Sequence, residues 1–84
     1  MWVRVYQPAF GPCRVLRPNP RTRGTKESAQ AHVARVAPDV EQADLSLCGL
    51  PWVDLDEADL PPRTDRARWR LRDGAVVVDR SGAA

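Results

Sequence analysis

Arg68-Trp69-Arg70-Leu71-Arg72-Asp73-Gly74-Ala75-Val76-Val77-Val78-Asp79 is the stretch that decides the fold class. Two short runs of strand-forming residues flank Asp73-Gly74, the strongest local signal for a tight β-hairpin. A two-residue loop fixes the register: Arg72 opposite Ala75, Leu71 opposite Val76, Arg70 opposite Val77, Trp69 opposite Val78. Side chains alternate across a strand, so Trp69, Leu71, Val76 and Val78 share one face. That face is expected to meet the core. Arg68 and Asp79 are expected to meet as an opposite-charge pair, worth about 0.2–1 kcal/mol.

Working outward, Trp52-Val53-Asp54-Leu55 reads as a short strand, and Leu60-Pro61-Pro62 as a rigid corner. At the other end, Trp2-Val3-Arg4-Val5-Tyr6 has the period of a strand, stopped by Pro8. Cys13-Arg14-Val15-Leu16-Arg17 reads as its hairpin partner across a long connection. Residues 18–26 form an exposed, basic, mobile loop rich in Pro and Arg. Thr25 or Ser28 can cap a helix, with Glu27 in its first turn and Ala29, Val33 and Val36 on one apolar stripe. Pro38 predicts an end near Ala37, and a second short helix follows over 39–47. Gly49 and Pro51 stop it. The expectation is one α+β domain over 1–84: an N-terminal hairpin, one or two helices and a C-terminal hairpin in a mostly antiparallel sheet, with 80–84 a frayed tail.

The chain has 84 residues and is 43% hydrophobic, too high for full disorder. At this size a domain buries only about 60–65% of its unfolded surface, which leaves a thin core and little room for a large cofactor. Arg4 interrupts the N-terminus before any apolar stretch, so no secretory signal is expected. The longest apolar run, Ala75 to Val78, is far too short for a membrane span. The expected location is the cytoplasm of the cell that makes the protein, with the virion as the alternative, and no membrane partner is expected.

The net charge of +2 hides a segregation. Residues 1–26 carry six basic side chains and no acid; residues 27–62 carry eight acids against Arg35; residues 63–84 carry six arginines against three aspartates. Such blocks either make opposed faces or neutralise each other within the fold. The second outcome is the more ordinary one.

Few residues carry chemistry. Cys13 and Cys48 lie 35 positions apart, with no C-x-x-C pair. Both are expected to be small buried apolar residues without function, with a single disulfide between them as the alternative. His32, the sole histidine, is expected at the edge of the helical stripe and partly exposed. Asp54, Asp56, Glu57 and Asp59 gather carboxylates but lack the glycine turn and closing glutamate of a calcium loop. They read as an acidic patch rather than a metal site. Arg14, Arg17, Arg21, Arg23 and Lys26 form the strongest binding feature, because the guanidinium fork donates in pairs to carboxylate or phosphate. Phosphate-loop, dinucleotide and nucleophile-elbow motifs are absent. No cofactor and no enzymatic activity are expected.

Leu50-Pro51-Trp52-Val53-Asp54-Leu55, Asp59-Leu60-Pro61, Arg63-Thr64-Asp65-Arg66-Ala67-Arg68-Trp69 and Gly74-Ala75-Val76-Val77-Val78-Asp79 together resemble a group of small proteins encoded by tailed bacteriophages and prophages. The likeness covers residues 50–79 closely and 3–36 loosely. It implies phage or prophage origin and a non-enzymatic character, and it assigns no role to any residue. The function expected on this basis is an accessory protein that binds another protein of host or phage origin. One such role is inhibition of a host defence such as a CRISPR effector. The alternatives are a minor structural or assembly factor of the virion, and a nucleic-acid-binding accessory protein, which is less favoured. Contact is expected through Arg14, Arg17, Arg21, Arg23 and Lys26 first, and through Asp54, Asp56, Glu57 and Asp59 second.

Overall fold

The computed structural model describes residues 1–79; the expected frayed tail at 80–84 lies outside the described residues. Among the described residues five strands and one α-helix make an α+β fold: β1 (Trp2–Tyr6), β2 (Arg14–Leu16), α1 (Ala29–Ala43), β3 (Trp52–Asp56), β4 (Trp69–Arg72) and β5 (Ala75–Val78). Strands β2, β1 and β3 form one antiparallel sheet with β1 in the centre, while β4 and β5 form a separate two-stranded sheet. The C-terminal register is the expected one, from Trp69 opposite Val78 to Arg72 opposite Ala75. Asp73 (φ 52°) and Gly74 (φ 76°) both occupy the left-handed region, which this tight turn requires.

Alternation along β1 builds three layers. Val3 and Val5 face one way, into a cluster with Cys13, Leu55, Trp69 and Val76. Leu71 and Val78 pack against that cluster, so the hairpin presents the expected face to the core. On the opposite face Tyr6 and Leu16 pack with Val33 and Ala37 of α1 and with Leu47. The helix therefore covers one face of the central sheet and the hairpin covers the other. Gln7 joins the layers: its side-chain carbonyl accepts from the Leu71 amide at 2.9 Å and from the Cys13 thiol at 3.3 Å.

Several sequence expectations change. The helix does not end before Pro38 but runs through it to Ala43, and the second helix shrinks to a single 3-10 turn over Leu45–Leu47. Proline inside a helix costs about 3 kcal/mol, through a lost hydrogen bond and a clash. Pro38 is on the exposed side, and so is Ala34, the residue whose carbonyl a proline at 38 leaves without its helical donor. Continuing the helix keeps Ala37 buried and Val40 packed beside Tyr6 and Leu16. Ser28 is the cap, accepting from the Ala31 amide at 3.1 Å, which puts Glu27 before the helix rather than in its first turn. Arg68 belongs to a 3-10 segment, Arg63–Arg68, and not to β4. Its carbonyl still accepts the Asp79 amide at 2.7 Å, while the Asp79 carboxylate lies 3.7 Å from Arg72.

His32 and Cys48 exchange environments relative to expectation. His32 is 3% exposed, because the stripe that docks on the sheet is centred on Val33 and Ala37. Cys48 is exposed, because it follows the 3-10 turn on the outside; it and Cys13 are both free thiols.

Candidate functional site

Strand register gives the molecule two ends. Trp2 and Asp56 pair at one end of the sheet; Tyr6 pairs with both Arg14 and Trp52 at the other. The helix runs the same way. Ala29 and His32 line a cleft with Met1 and Trp2, and Asp44 at the far end bonds Arg14.

The first end is charged. Arg17 on the way out of β2 donates through Nε to Glu57 at 2.6 Å. The bond to Arg17 holds the Glu57 carboxyl below the usual carboxylate range. The basic loop is tied down by its own polar groups. Asn19 caps a 3-10 turn over Pro20–Thr22, and Arg23 donates to the Glu27 carbonyl at 2.7 Å. The Thr22 hydroxyl donates to the Asn19 carbonyl at 2.8 Å and sits 2.8 Å from His32 Nε2. With that hydroxyl proton given to Asn19, His32 presents an Nε2–H to the threonine oxygen. The pair is a latch between loop and helix, not an activated nucleophile. Arg21 and Lys26 are exposed and have no acidic partner among the described residues.

The residues singled out in the sequence are thus separated by the fold. Arg14 pairs with Asp44 at 3.2 Å, and Arg17 with Glu57. Asp54 and Asp56 do point to the same face of β3, as alternation requires. However, Asp54 is gripped by Arg4 through two bonds of 2.6 and 2.9 Å. Asp56 accepts the Ala58 amide at 3.0 Å and lies 3.7 Å from the N-terminal ammonium. Among the described residues no three His, Cys, Asp or Glu side chains converge on a metal position. Asp59 is exposed. Basic and acidic blocks therefore neutralise each other at Arg4, Arg14 and Arg17. Arg21 and Lys26 stay available on the charged end, and Arg23 is exposed there while donating to the Glu27 carbonyl.

The opposite end is apolar, and sequence reasoning passed over it. Phe10 (92% exposed), Leu45 (74%) and Trp52 (49%) are three of the four large exposed hydrophobics among the described residues. All three belong to this end: Phe10 in the β1–β2 connection, Leu45 beside Asp44, Trp52 opposite Tyr6. Residues 7–13 and 45–53 carry no charged side chain, a signal available in the sequence. Between β2 and the end of α1 an open cleft of about 250 Å³ is lined by the apolar Leu16, Val40 and Leu47, by Tyr6, and by the charged Arg14, Asp44 and, toward the other end, Arg17. The Tyr6 hydroxyl is buried near Arg4 without a hydrogen bond of good geometry among the described residues, and burial pushes its pKa up.

Trp52 is not a loose side chain. The Arg4 guanidinium lies 3.6 Å from its ring centroid, and Asp54 holds that guanidinium through its Nε and Nη2 donors. Arg4 is only 6% exposed, so a buried, doubly bonded cation fixes a half-exposed indole on a sheet edge. The Asp54 bonds raise the Arg4 pKa above its ordinary value, so the cation persists at any working pH. The Cys13 thiol is pushed up by burial, which makes it a poor nucleophile. Cys13, His32 and Cys48 lie in the hairpin layer, the charged end and the apolar end respectively, and do not converge. No protein-family model matches the chain, and no curated protein or solved structure matches it.

Proposed function

We propose that this protein works by contact, gripping another protein through its apolar end without chemistry of its own. The observation that carries the reading is Trp52, half exposed on an edge strand and held in place by Arg4 and Asp54. Exposed aromatics that are already ordered lose little entropy on binding, and tryptophan is the residue most enriched among interface hot spots. Phe10 and Leu45 extend the apolar surface, and the cleft beside Tyr6 offers a pocket for an inserted side chain. Arg21, Arg23 and Lys26, at the charged end, contribute steering rather than residence time. The likeness of residues 50–79 to small phage and prophage proteins supports a partner of host or phage origin, in an anti-defence or virion-assembly role.

Capture from host lysate tests this, with wild type, Trp52→Ala, Phe10→Ala and the Arg21→Glu/Arg23→Glu double variant as baits. The expected result is one protein enriched by wild type, with affinity reduced about tenfold or more by Trp52→Ala. Capture insensitive to Trp52 and Phe10 but lost on charge reversal would move the contact to the charged end. Capture abolished by nuclease would favour a nucleic-acid partner.

A further inference from the structure

We propose that the cleft between Arg17, Arg63 and Trp69 is a notch that receives a carboxylate, carried by an acidic side chain of a protein partner. The cleft has a volume of about 210 Å³ and is lined by Arg17, Glu57, Leu60, Pro61, Arg63 and Trp69. It lies at the charged end, away from Trp52.

Its donors outnumber its acceptors. The Trp69 indole N–H is buried and has no acceptor among the described residues. An indole can only donate, so this group is satisfied only by something that brings an acceptor. Arg17 uses Nε on Glu57 at 2.6 Å, and no other acceptor for it is present among the described residues. Arg63 is exposed and has no ion pair among the described residues. Glu57 is the one carboxylate of the cleft, and Arg17 already neutralises it. Two arginines against one glutamate leave one positive charge.

That balance selects the ligand. A carboxylate has one negative charge and two coplanar oxygens. One edge fits the Arg63 fork and the remaining lone pairs fit the free edge of Arg17; the indole N–H, closed to solvent in the free protein, joins them once Trp69 shifts in the cleft wall. Leu60 and Pro61 form an apolar wall suited to the methylene stem of glutamate or aspartate. A phosphate dianion fits less well, because its second charge is unmatched and faces Glu57. The identity of the carboxylate's bearer rests on the protein-contact reading above; the notch itself does not.

Indole N–H resonances test the notch with no partner present. The chain has three tryptophans, and Trp2→Phe and Trp52→Phe variants identify the Trp69 signal by elimination while leaving Trp69 in place. Blocked glutamate, blocked glutamine and inorganic phosphate are titrated in turn. The expected result is a saturable, millimolar shift of Trp69 with glutamate, none with glutamine, and no matching shift of Trp52 at the opposite end. Arg63→Gln should weaken glutamate about tenfold, the loss of one charge-assisted fork. A Trp69 resonance that stays still, or moves equally with Arg63→Gln, overturns the notch. Tighter binding of phosphate than of glutamate overturns the carboxylate assignment. Lysate capture that fails while this titration succeeds removes the proposed grip and leaves the notch.

Discussion

The two ends of the molecule solve opposite problems. At the charged end Arg17, Arg35 and Glu57 are engaged with one another or with nearby acids, and the loop is closed by its own hydrogen bonds. At the apolar end Phe10 and Leu45 stand mostly in water, and Trp52, stacked on Arg4, is half exposed. Exposed ion pairs contribute about 0–1 kcal/mol each, so most of the conspicuous charge has little energetic consequence. Exposed aromatics have free energy still to gain. The lesson is that a run of arginines marks where charge is, while unpaired apolar surface marks where contact energy remains.

The largest test separates the framework from both ends. Trp69 anchors the cluster that holds the hairpin on the sheet. Trp69→Ala should cost about 3–5 kcal/mol, comparable with the whole stability of so small a domain. Phe10→Ala should change stability by less than about 0.5 kcal/mol. Urea unfolding of both variants reads the contrast. A Phe10→Ala variant destabilised as strongly as Trp69→Ala would make the apolar end part of the core. An unaltered Trp69→Ala would contradict the hairpin's docking.

The next effect lies at the joint between the ends. Arg4→Met leaves Asp54 without its cation and Trp52 without its stacking partner. Removing one member of a buried pair costs about 3 kcal/mol at the lower end, and Asp54 is not fully buried. Arg4→Met combined with Asp54→Leu should recover most of that loss, because both charges go together. If the double variant folds as well as wild type yet Trp52 fluorescence becomes that of a mobile indole, the pair serves to order the tryptophan. A double variant as unstable as Arg4→Met would make the pair a stability element instead.

How much of this was legible follows from the range of each signal. The Asp73-Gly74 hairpin, the Ser28 cap and the pairing of β1 with β2 rest on contacts within a few residues or on a strict period of two. Those features are readable in one dimension. Pro38 misled because helix continuation is decided by what Ala37 and Val40 pack against, which local preference does not contain. His32 misled because a stripe's centre, not its members, sets burial. Arg14 and Arg17 looked free because their partners, Asp44 and Glu57, lie 30 and 40 residues away. The apolar end was missed for a different reason: absence of charge over 7–13 and 45–53 is a weak local signal until the sheet register brings the two segments together.

Charge reversal at Arg21 and Arg23 probes the charged end at smaller amplitude. Both side chains are exposed, so Arg21→Glu/Arg23→Glu should leave the fold intact and stability within about 0.5 kcal/mol. Once a partner is captured, its association rate at two salt concentrations should fall and lose salt dependence, with the dissociation rate little changed. The reverse pattern, slower dissociation in wild type and equal on-rates, would give this end the grip assigned to Trp52. A loss of folding would make these arginines part of the internal neutralisation.

The smallest effect is a pH dependence confined to the charged end. Glu27 accepts from Arg35 Nε at 2.8 Å, from Arg35 Nη2 at 2.9 Å and from the Gly24 amide at 3.0 Å. The Arg35 bonds first, then the amide, lower its pKa from 4.5 to about 2. A carboxylate depressed in the folded state binds fewer protons there than in the unfolded chain. Its contribution is therefore complete above about 4.5 and is lost as pH falls toward 2. Glu57 and Asp44 shift in the same direction, through Arg17 and through Ser46 respectively. Arg35→Gln removes the main cause at Glu27 and also frees the Thr22 carbonyl, which Arg35 holds at 2.7 Å. The expected outcome is a melting temperature that falls less steeply with acid in Arg35→Gln than in wild type, with a Glu27 carboxyl titration moved back toward the ordinary range. Trp52 and Phe10 variants should keep the wild-type slope, since no titrating group is changed. Equal slopes for wild type and Arg35→Gln would mean that Arg35 is not what lowers the Glu27 carboxyl on folding, and would leave the Gly24 amide as the cause.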